Sequence, residues 1–520
     1  MPKLTIDNKP VEVPEGSTLL DAAQLLGIDI PRLCHLPDAQ RPSTSCLVCL
    51  VRLADSGKLV PACATRAIDN MTVESETPEV FEVRRTALEL LLADHIGDCF
   101  APCVRACPVA LDIPRMLRQI ETGDLAGAIK TLQSDMSLPR VLARICPAPC
   151  EKSCRRDAAD RAVAICRIKQ YVADQSQSKP EQAPPTGRRV AVIGAGPSGL
   201  SAAYHTAMAG NQVTVFDRRD QPGGRLLDSP DADSLPLDVL DADIEPIRAL
   251  GVDFQMNREI DASDVRRLSG TYDAVIIAAE SVTKSLQAAD TPTPPTVKLV
   301  REKSRAKISP PRRVADGRTA GEAVSQRLLS GATLEPTADT QVDVKLGKLE
   351  ASELIEFMKD APQTERVDVA PDDSMDGETA RVQSARCLHC DCRQLPNCDL
   401  RTLAARYGAK PARRQRVTVA DEENGSRDIP RRHFQRNVEH PELVYEPGKC
   451  IRCSRCIETA RSVGEPVGLT LAGRGFDVEV VVPLGQALTE GITHSARSIA
   501  AVCPTGSLAL RKRDADHQDE

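Results

Sequence analysis

Nineteen cysteines stand in five tight groups, at residues 34–63, 99–107, 146–166, 387–398 and 450–503, with none between 167 and 386. Thiols gathered in this way are ligands, for iron-sulfur clusters or for zinc. The last group opens with Cys450, Cys453 and Cys456 at C-x2-C-x2-C spacing, and Ala460 stands where a fourth cysteine would complete the run. In proteins built from two such runs, the fourth cysteine of each serves the other cluster. "SIAAVCPTGSLAL" carries such a fourth position at Cys503-Pro504, whereas "GITHSARSI" just upstream holds no cysteine. The expectation is that Cys503 completes one [4Fe-4S] set with Cys450, Cys453 and Cys456, in a bacterial-ferredoxin-like arrangement that has lost its second cluster.

At the other end, Cys34-x11-Cys46-x2-Cys49-x13-Cys63 supplies three thiols from one loop and a fourth from further along, a common way to surround two bridged irons. A tetrahedral zinc site is the competing use of the same donors. Upstream, "LTID" and "VEV" flank the turn-forming "NK" as a hairpin, and an amphipathic helix begins near Thr18. This order of hairpin, helix, cysteine loop and late "PACAT" resembles the [2Fe-2S] ferredoxin domain of the large iron-sulfur subunit of complex I and of related hydrogenases and formate dehydrogenases. The resemblance covers about residues 1–98. In that family a His-x3-Cys site follows directly, and "LLLADHIGDC" offers His95 and Cys99. The family's next cysteines, C-x2-C-x5-C, do not follow here. A solvated helix-end histidine is the plain alternative for His95.

Instead, Cys99, Cys103 and Cys107 come four apart in "CFAPCVRACPVALDIPRML", and Cys146, Cys150 and Cys154 do the same in "ICPAPCEKSC". The two stretches resemble the N-terminal double-cluster domain of the glutamate synthase small subunit and dihydropyrimidine dehydrogenase. The resemblance implies interleaved sets, with Cys107, Cys146 and Cys150 in one [4Fe-4S] site and Cys99, Cys103 and Cys154 in another. The family's last ligand can be a glutamine, whose place falls near Lys169, and a protonated lysine has no lone pair to give. Cys166, one turn earlier, is expected to serve instead, and His95 to complete the other cluster. Cys387, Cys390, Cys392 and Cys398 lie within twelve residues and are read as one further centre, iron-sulfur in preference to structural zinc, with His389 a bystander.

The long cysteine-free stretch carries different chemistry. "RRVAVIGAGPSGLSAAYHTAMAGNQVTVFDRR" reads as strand, G-x-G-x-x-G turn (Gly194, Gly196, Gly199), helix and second strand, ending on Asp217 and Arg218. Such glycines let backbone approach a pyrophosphate at a helix N-terminus, and the acid can accept from a ribose hydroxyl. "DQPGGRL" adds Gly223 and Gly224 in a following turn. The segment resembles the FAD-binding domain of the same glutamate synthase small-subunit family, which implies FAD in preference to NAD. "GTYDAVIIAAE" at 270–280 resembles the strand before that family's NADPH-binding insertion, and "VADGRTAGEAVSQRLL" at 314–329 the helix that closes its flavin domain. Only about 33 residues separate them, too few for the ~100 of a further domain. The family's A-T-G is Ala278-Ala279-Glu280 here, and its Gly-Asp pair before the closing helix is absent. A vestigial, structural nucleotide fold therefore stands beside FAD as an alternative.

These sites need several domains to hold them, and the 520 residues suffice for three or four. Polar, Pro-containing stretches at 174–188 and 291–313 and an acidic one at 360–379 read as connections, the last as mobile. The expected organisation is a β-grasp [2Fe-2S] domain at 1–98, a helical domain with two [4Fe-4S] sites at 99–175, a truncated Rossmann-like FAD domain at 188–335, a linker with the Cys-rich motif at 336–400 and a ferredoxin-like domain with one [4Fe-4S] at 401–520. The fold class is multidomain α+β and α/β. With 67 basic against 74 acidic residues, net charge −7 and 2% aromatics, the chain lacks the basic, stacking surface of a nucleic-acid binder. No apolar run reaches the roughly 18 residues of a membrane span, and the N-terminus lacks a secretory pattern. A cytoplasmic protein is expected, its cysteines kept reduced.

The combined reading is an electron-transfer subunit with one [2Fe-2S] cluster, three [4Fe-4S] clusters, a fourth if residues 387–398 hold iron, and FAD. The resemblances imply an NADH-binding flavoprotein subunit as one partner and a hydrogenase, formate dehydrogenase or ferredoxin-reactive module as the other, in a bifurcating assembly if flavin is retained. The alternatives are a self-contained NAD(P)H-dependent oxidoreductase of the glutamate synthase type and a zinc-stabilised assembly scaffold.

Overall fold

The computed structural model describes residues 1–37, 43–176, 180–228, 235–288, 296–300, 309–330, 342–370, 373, 375–411, 418–421, 425–428 and 433–511. Two compact units divide the chain. One comprises Met1–Phe100, Asp339–Asp360 and His389–Glu520, the other Ala101–Ala338 and Ala361–Leu388. The chain passes from the first unit to the second after Phe100, returns to the first for Asp339–Asp360, and returns again at His389.

In the first unit, strands β1 (Lys3–Ile6), β2 (Lys9–Glu12), β3 (Leu50–Leu53), β4 (Leu59–Pro61) and β5 (Thr72–Glu74) form a mixed sheet in the order β2-β1-β5-β3-β4. The hairpin turns on Asp7 and Asn8, both left-handed (φ +47° and +64°), one residue earlier than "NK". Two left-handed residues match the right-handed twist of the flanking strands. The helix Leu19–Leu25 is capped reciprocally: Asp21 N donates to Thr18 Oγ1 (3.2 Å) and Thr18 N to Asp21 Oδ2 (2.8 Å), an arrangement worth ~1 kcal/mol. Its Leu19, Leu20 and Ala23 bury against Leu4, Ile6, Val51 and Val73, and Cys49 and Cys63 belong to the same core. The helix Pro78–Ala93 leads from this sheet to His95. In the same unit, strands Leu443–Tyr445 and Leu508–Leu510 pair antiparallel. Helices Arg455–Val463 and Ala496–Val502 pack on them through Ala460 and Ile499.

In the second unit, helices between residues 102 and 175 share a core with a five-stranded sheet. Strands β6 (Arg189–Ile193), β7 (Gln212–Phe216), β8 (Asp253–Gln255), β9 (Ala274–Ile277) and β10 (Val297–Leu299) run parallel in the order β10-β9-β6-β7-β8. The unbroken apolar runs of β6 and β9 are what a sheet covered on both faces requires. The helix Pro310–Ser330 lies along the helix Pro197–Met208. A Cβ on Gly317 would stand 2.0 Å from Ser198 O, so this approach depends on glycine.

The stretch 291–313 falls largely outside the described residues, apart from β10 and the start of the closing helix. The acidic stretch 360–379, read as mobile, is fastened over its described part. Arg366 donates to Ala162 O (2.9 Å) and pairs with Glu151 (2.9 Å), and Val367 N donates to Gln383 Oε1 (3.2 Å). Half-buried ion pairs and backbone hydrogen bonds hold this polar sequence in place of an apolar face.

Candidate cluster ligands and nucleotide cleft

Among the described residues, no group of three or more His, Cys, Asp or Glu side chains closes around a single metal ion. The cysteine groupings are therefore weighed as ligand sets for clusters, whose several irons spread four thiolates further apart than one ion does.

Cys34, Cys46, Cys49 and Cys63 are all buried, and the sulfurs of Cys49 and Cys63 are 3.4 Å apart. Cys46 and Cys63 donate to the sulfur of Cys34 and pull its thiol far below the usual range. Left-handed backbone at Thr44 and Leu47 winds the loop that carries Cys46 and Cys49.

Cys450, Cys453, Cys456 and Cys503 line one small cavity of about 20 Å³ with Tyr445, Val480 and Ser507. Arg452 and Ser454, both left-handed, wind the first three around it. Backbone N–H groups already face the sulfurs: Arg452 N donates to Cys450 (3.3 Å) and Leu508 N to Cys503 (3.5 Å). Burial, with the neighbouring sulfurs adding to it, pushes Cys450 up to about 11 and Cys453 up to about 12. Thiols in that state ionise against a positive centre such as iron. Ala460 is fully buried in the core of this region, on the same helix as Cys456.

A second cavity of about 20 Å³, in the other unit, is lined by Cys107, Cys146 and Cys150, with Leu142, Ile165 and Lys169. Cys146 and Cys150 donate to Cys166, pulling its thiol well down, and Cys107 is close enough to raise Cys150. The structure thus brings Cys107, Cys146, Cys150 and Cys166 together. Glu151 holds the start of the Cys166 helix by accepting from Cys166 N (2.8 Å).

Cys99, Cys103 and Cys154, expected together, lie on both sides of the change of unit after Phe100. Cys99 belongs to the first unit, where it packs with Cys398, Leu400 and Cys453. Its carbonyl accepts from Cys392 N (3.1 Å) and its sulfur from Val344 N (3.4 Å). Burial pushes Cys99 up to about 11, with Cys392 adding to it, and Cys398 up to about 12, with Cys392 and Cys99 adding. His95, just past the helix Pro78–Ala93, is half-buried, and its buried Nδ1 lacks any hydrogen-bond partner. Burial, then the charge of Lys449, pushes it down to about 3. A neutral imidazole with a bare, buried ring nitrogen is a metal donor in waiting. Cys103 and Cys154 stay in the second unit and pack against the same core as Cys387, where Arg156 donates to Arg386 O (2.8 Å). Cys387 and the run Cys390, Cys392 and Cys398 stand on either side of the change of unit between Leu388 and His389. A signal was present in the spacing: Cys392-x5-Cys398 is the C-x5-C missing after Cys99.

The nucleotide cleft is a cavity of about 510 Å³ above β6, lined by Gly194, Gly196, Ser198, Asp217, Arg218 and Gly224. Gly194 is left-handed (φ +105°), and a Cβ on Gly199 would lie 1.7 Å from Gly194 O. Gly199 and Gly223 do not line the cavity. They shape it, Gly223 N donating to Ala195 O (2.9 Å). Asp217 also departs from a purely ribose-facing role: Oδ2 accepts from Ala195 N (2.6 Å) and Oδ1 from Arg219 N (2.9 Å), so it braces the turn. Arg225, Arg258, Lys284 and Arg313 also border the cleft, with Glu280 paired to Arg225 at 2.7 Å. These cations give the cleft the charge a pyrophosphate needs, and they had no motif to reveal them.

Comparison with known proteins agrees in kind. A 2Fe-2S iron-sulfur cluster binding domain model matches residues 2–78, a dihydropyrimidine dehydrogenase domain II, 4Fe-4S cluster model matches 86–181, and an NAD(P)-binding Rossmann-like domain model matches 192–242. The chain combines iron-sulfur and Rossmann-like domains. Over 205 residues it is 35% identical to the beta subunit of NADP(+)-dependent formate dehydrogenase of Moorella thermoacetica, covering 34% of this chain and 29% of that protein. It is 34% identical over 184 residues to the PreT subunit of NAD-dependent dihydropyrimidine dehydrogenase of Salmonella typhimurium, covering 34% and 45%. It is 49% identical over 100 residues to the HndD subunit of the NADP-reducing hydrogenase of Solidesulfovibrio fructosivorans, covering 18% and 17%. The chain spans less than half the length of each of these relatives. Among the described residues, no helix is long and apolar enough to cross a membrane.

Proposed function

We propose that the chain conducts electrons as a subunit of a larger oxidoreductase, between an NADH-binding flavoprotein subunit and a hydrogenase, formate dehydrogenase or ferredoxin-reactive subunit. The observation that carries this reading is the sorting of the cysteines into separate buried sets. Cys34, Cys46, Cys49 and Cys63 would hold a [2Fe-2S] cluster. Three further sets would each hold a [4Fe-4S] cluster: Cys107, Cys146, Cys150 and Cys166; His95, Cys99, Cys392 and Cys398; and Cys450, Cys453, Cys456 and Cys503. Cys103, Cys154 and Cys387 would contribute three thiolates to another cluster. When bound, such clusters supply one-electron transfer, at potentials set by their type, hydrogen bonds and exposure. The chain's own part is to exclude water from the sulfurs and to aim backbone N–H groups at them, as Arg452, Leu508 and Val344 do.

FAD is the cofactor proposed for the cleft, with Gly194, Gly196 and Ser198 towards the pyrophosphate and Asp217 towards a ribose. The hydrogenase and formate dehydrogenase subunits among the relatives support partners of that kind. The test is copurification of the chain from its own cells, with iron, acid-labile sulfide and flavin assayed in the isolated chain. A co-purifying large redox subunit is expected, together with no bleaching of the isolated chain by NAD(P)H. Bleaching by NAD(P)H alone would favour the self-contained enzyme, and zinc in place of iron the scaffold.

A further inference from the structure

Lys169 lies one turn beyond Cys166 on the helix Ile165–Gln175 and is 4% exposed. Its Nζ donates to Leu142 O (3.1 Å) and its side chain borders the cavity of Cys107, Cys146 and Cys150. The hydrogen-bond partner is a neutral carbonyl, and the ionisable groups that share the cavity with the ammonium are Cys107, Cys146 and Cys150. Glu151 nearby is already paired with Arg366 (2.9 Å) and with Cys166 N. An ammonium taken out of water without a counter-charge costs several kcal/mol. Anionic sulfurs on a bound cluster would supply that counter-charge from the adjoining cavity.

We propose that Lys169 is the fixed counter-charge of a [4Fe-4S] cluster held by Cys107, Cys146, Cys150 and Cys166, and that it raises that cluster's reduction potential. Reduction adds one negative charge to the cluster, and a buried positive charge beside it favours that state over the oxidised one. The surroundings screen the effect less than bulk water would, because Lys169 is buried and Leu142, Ile165 and other apolar side chains line the cavity. The cluster would then be the electron-accepting stop among those of its unit. The inference rests on the proposed ligand set, and the experiment separates the two.

The test uses the full chain, reconstituted anaerobically and titrated by electron paramagnetic resonance. Cys166→Ala identifies the signal of this site; if no [4Fe-4S] signal is lost, the ligand set is wrong and the proposal falls with it. With the signal identified, Lys169→Met should keep it but shift its reduction equilibrium at least tenfold against the reduced form, 59 mV more negative for one electron. Lys169→Arg, which retains the charge, should stay within threefold of the native chain. Should the methionine variant fail to fold, Lys169→Gln keeps a donor for Leu142 O and must show the same shift. A native potential in either neutral variant overturns the proposal.

Discussion

Cys392 donates its backbone N–H to the carbonyl of Cys99 at 3.1 Å, although the whole second unit lies between them in sequence. Cys99 and Cys398 share one buried core, Cys392 is close enough to raise both thiols, and His95, four residues before Cys99, has a buried Nδ1 without a hydrogen-bond partner. If these four are one ligand set, Cys99→Ala and Cys398→Ala abolish the same [4Fe-4S] paramagnetic signal. Cys103→Ala leaves that signal and removes another. Loss of a single common signal in Cys99→Ala and Cys103→Ala would restore the grouping read from sequence neighbours.

Cys503→Ala is expected to remove the same [4Fe-4S] signal as Cys453→Ala, because all four cysteines of that set border one cavity. A Cys503 variant that retains the signal would mean that the fourth ligand comes from elsewhere.

The parts legible in the sequence were those whose physics is local. The left-handed loop residues that wrap Cys450, Cys453 and Cys456 operate within a few positions, so spacing alone marks the site. The same holds for the β6 turn and helix, whose glycines must be where they are for the strand and helix to meet. The grouping proposed for His95, Cys99, Cys392 and Cys398 was not read from the sequence, because the change of unit after Phe100 is a tertiary event without a composition break. Asp217 was read for a ligand when its backbone partners are Ala195 and Arg219, since an acid after a strand looks the same in either role.

Stability should carry a pH signature from Asp243. Its carboxylate is fully buried at the start of the helix Pro139–Ile145, where it accepts from Arg140 N (3.2 Å) and Val141 N (2.8 Å). Burial pushes it up to about 7 from 3.8, against the pull of those donors. Between these values the native state binds more protons than the unfolded chain, so its contribution is full below the lower value and is lost as pH rises through the higher. The urea midpoint of the native chain should fall between pH 5 and 8 relative to that of Asp243→Asn. Parallel curves for the two proteins would dismiss Asp243 as the source.

Tyr407 Oη accepts from Arg84 Nη1 (3.1 Å), while Arg84 Nε donates to Leu50 O (3.0 Å), and the arginine is 1% exposed. Removing the hydroxyl leaves one more buried guanidinium donor unmet, a loss of about 1–3 kcal/mol. Tyr407→Phe should therefore lower the urea midpoint without changing iron content. An unchanged midpoint would show that water replaces the hydroxyl at no cost.

Flavin content offers an independent check on the cleft. Gly199→Val puts a branched side chain where even a Cβ would lie 1.7 Å from Gly194 O, so the turn must open and its N–H groups must lose their aim at a pyrophosphate. Flavin released by acid from the purified variant should drop to a tenth or less of the native amount, because a single misplaced turn removes contacts that the ligand cannot recover from the cations at the rim. Iron and sulfide should stay at native levels, since the cysteine sets rest on other elements. Full flavin retention would place the cofactor outside this cleft, and joint loss of flavin and iron would mean that the second unit had unfolded. In the second case Gly196→Ala, at a position where a Cβ meets nothing closer than 3.9 Å, gives the milder test of the same turn: a Cβ there faces the cavity instead of the core, so flavin should weaken while the fold survives.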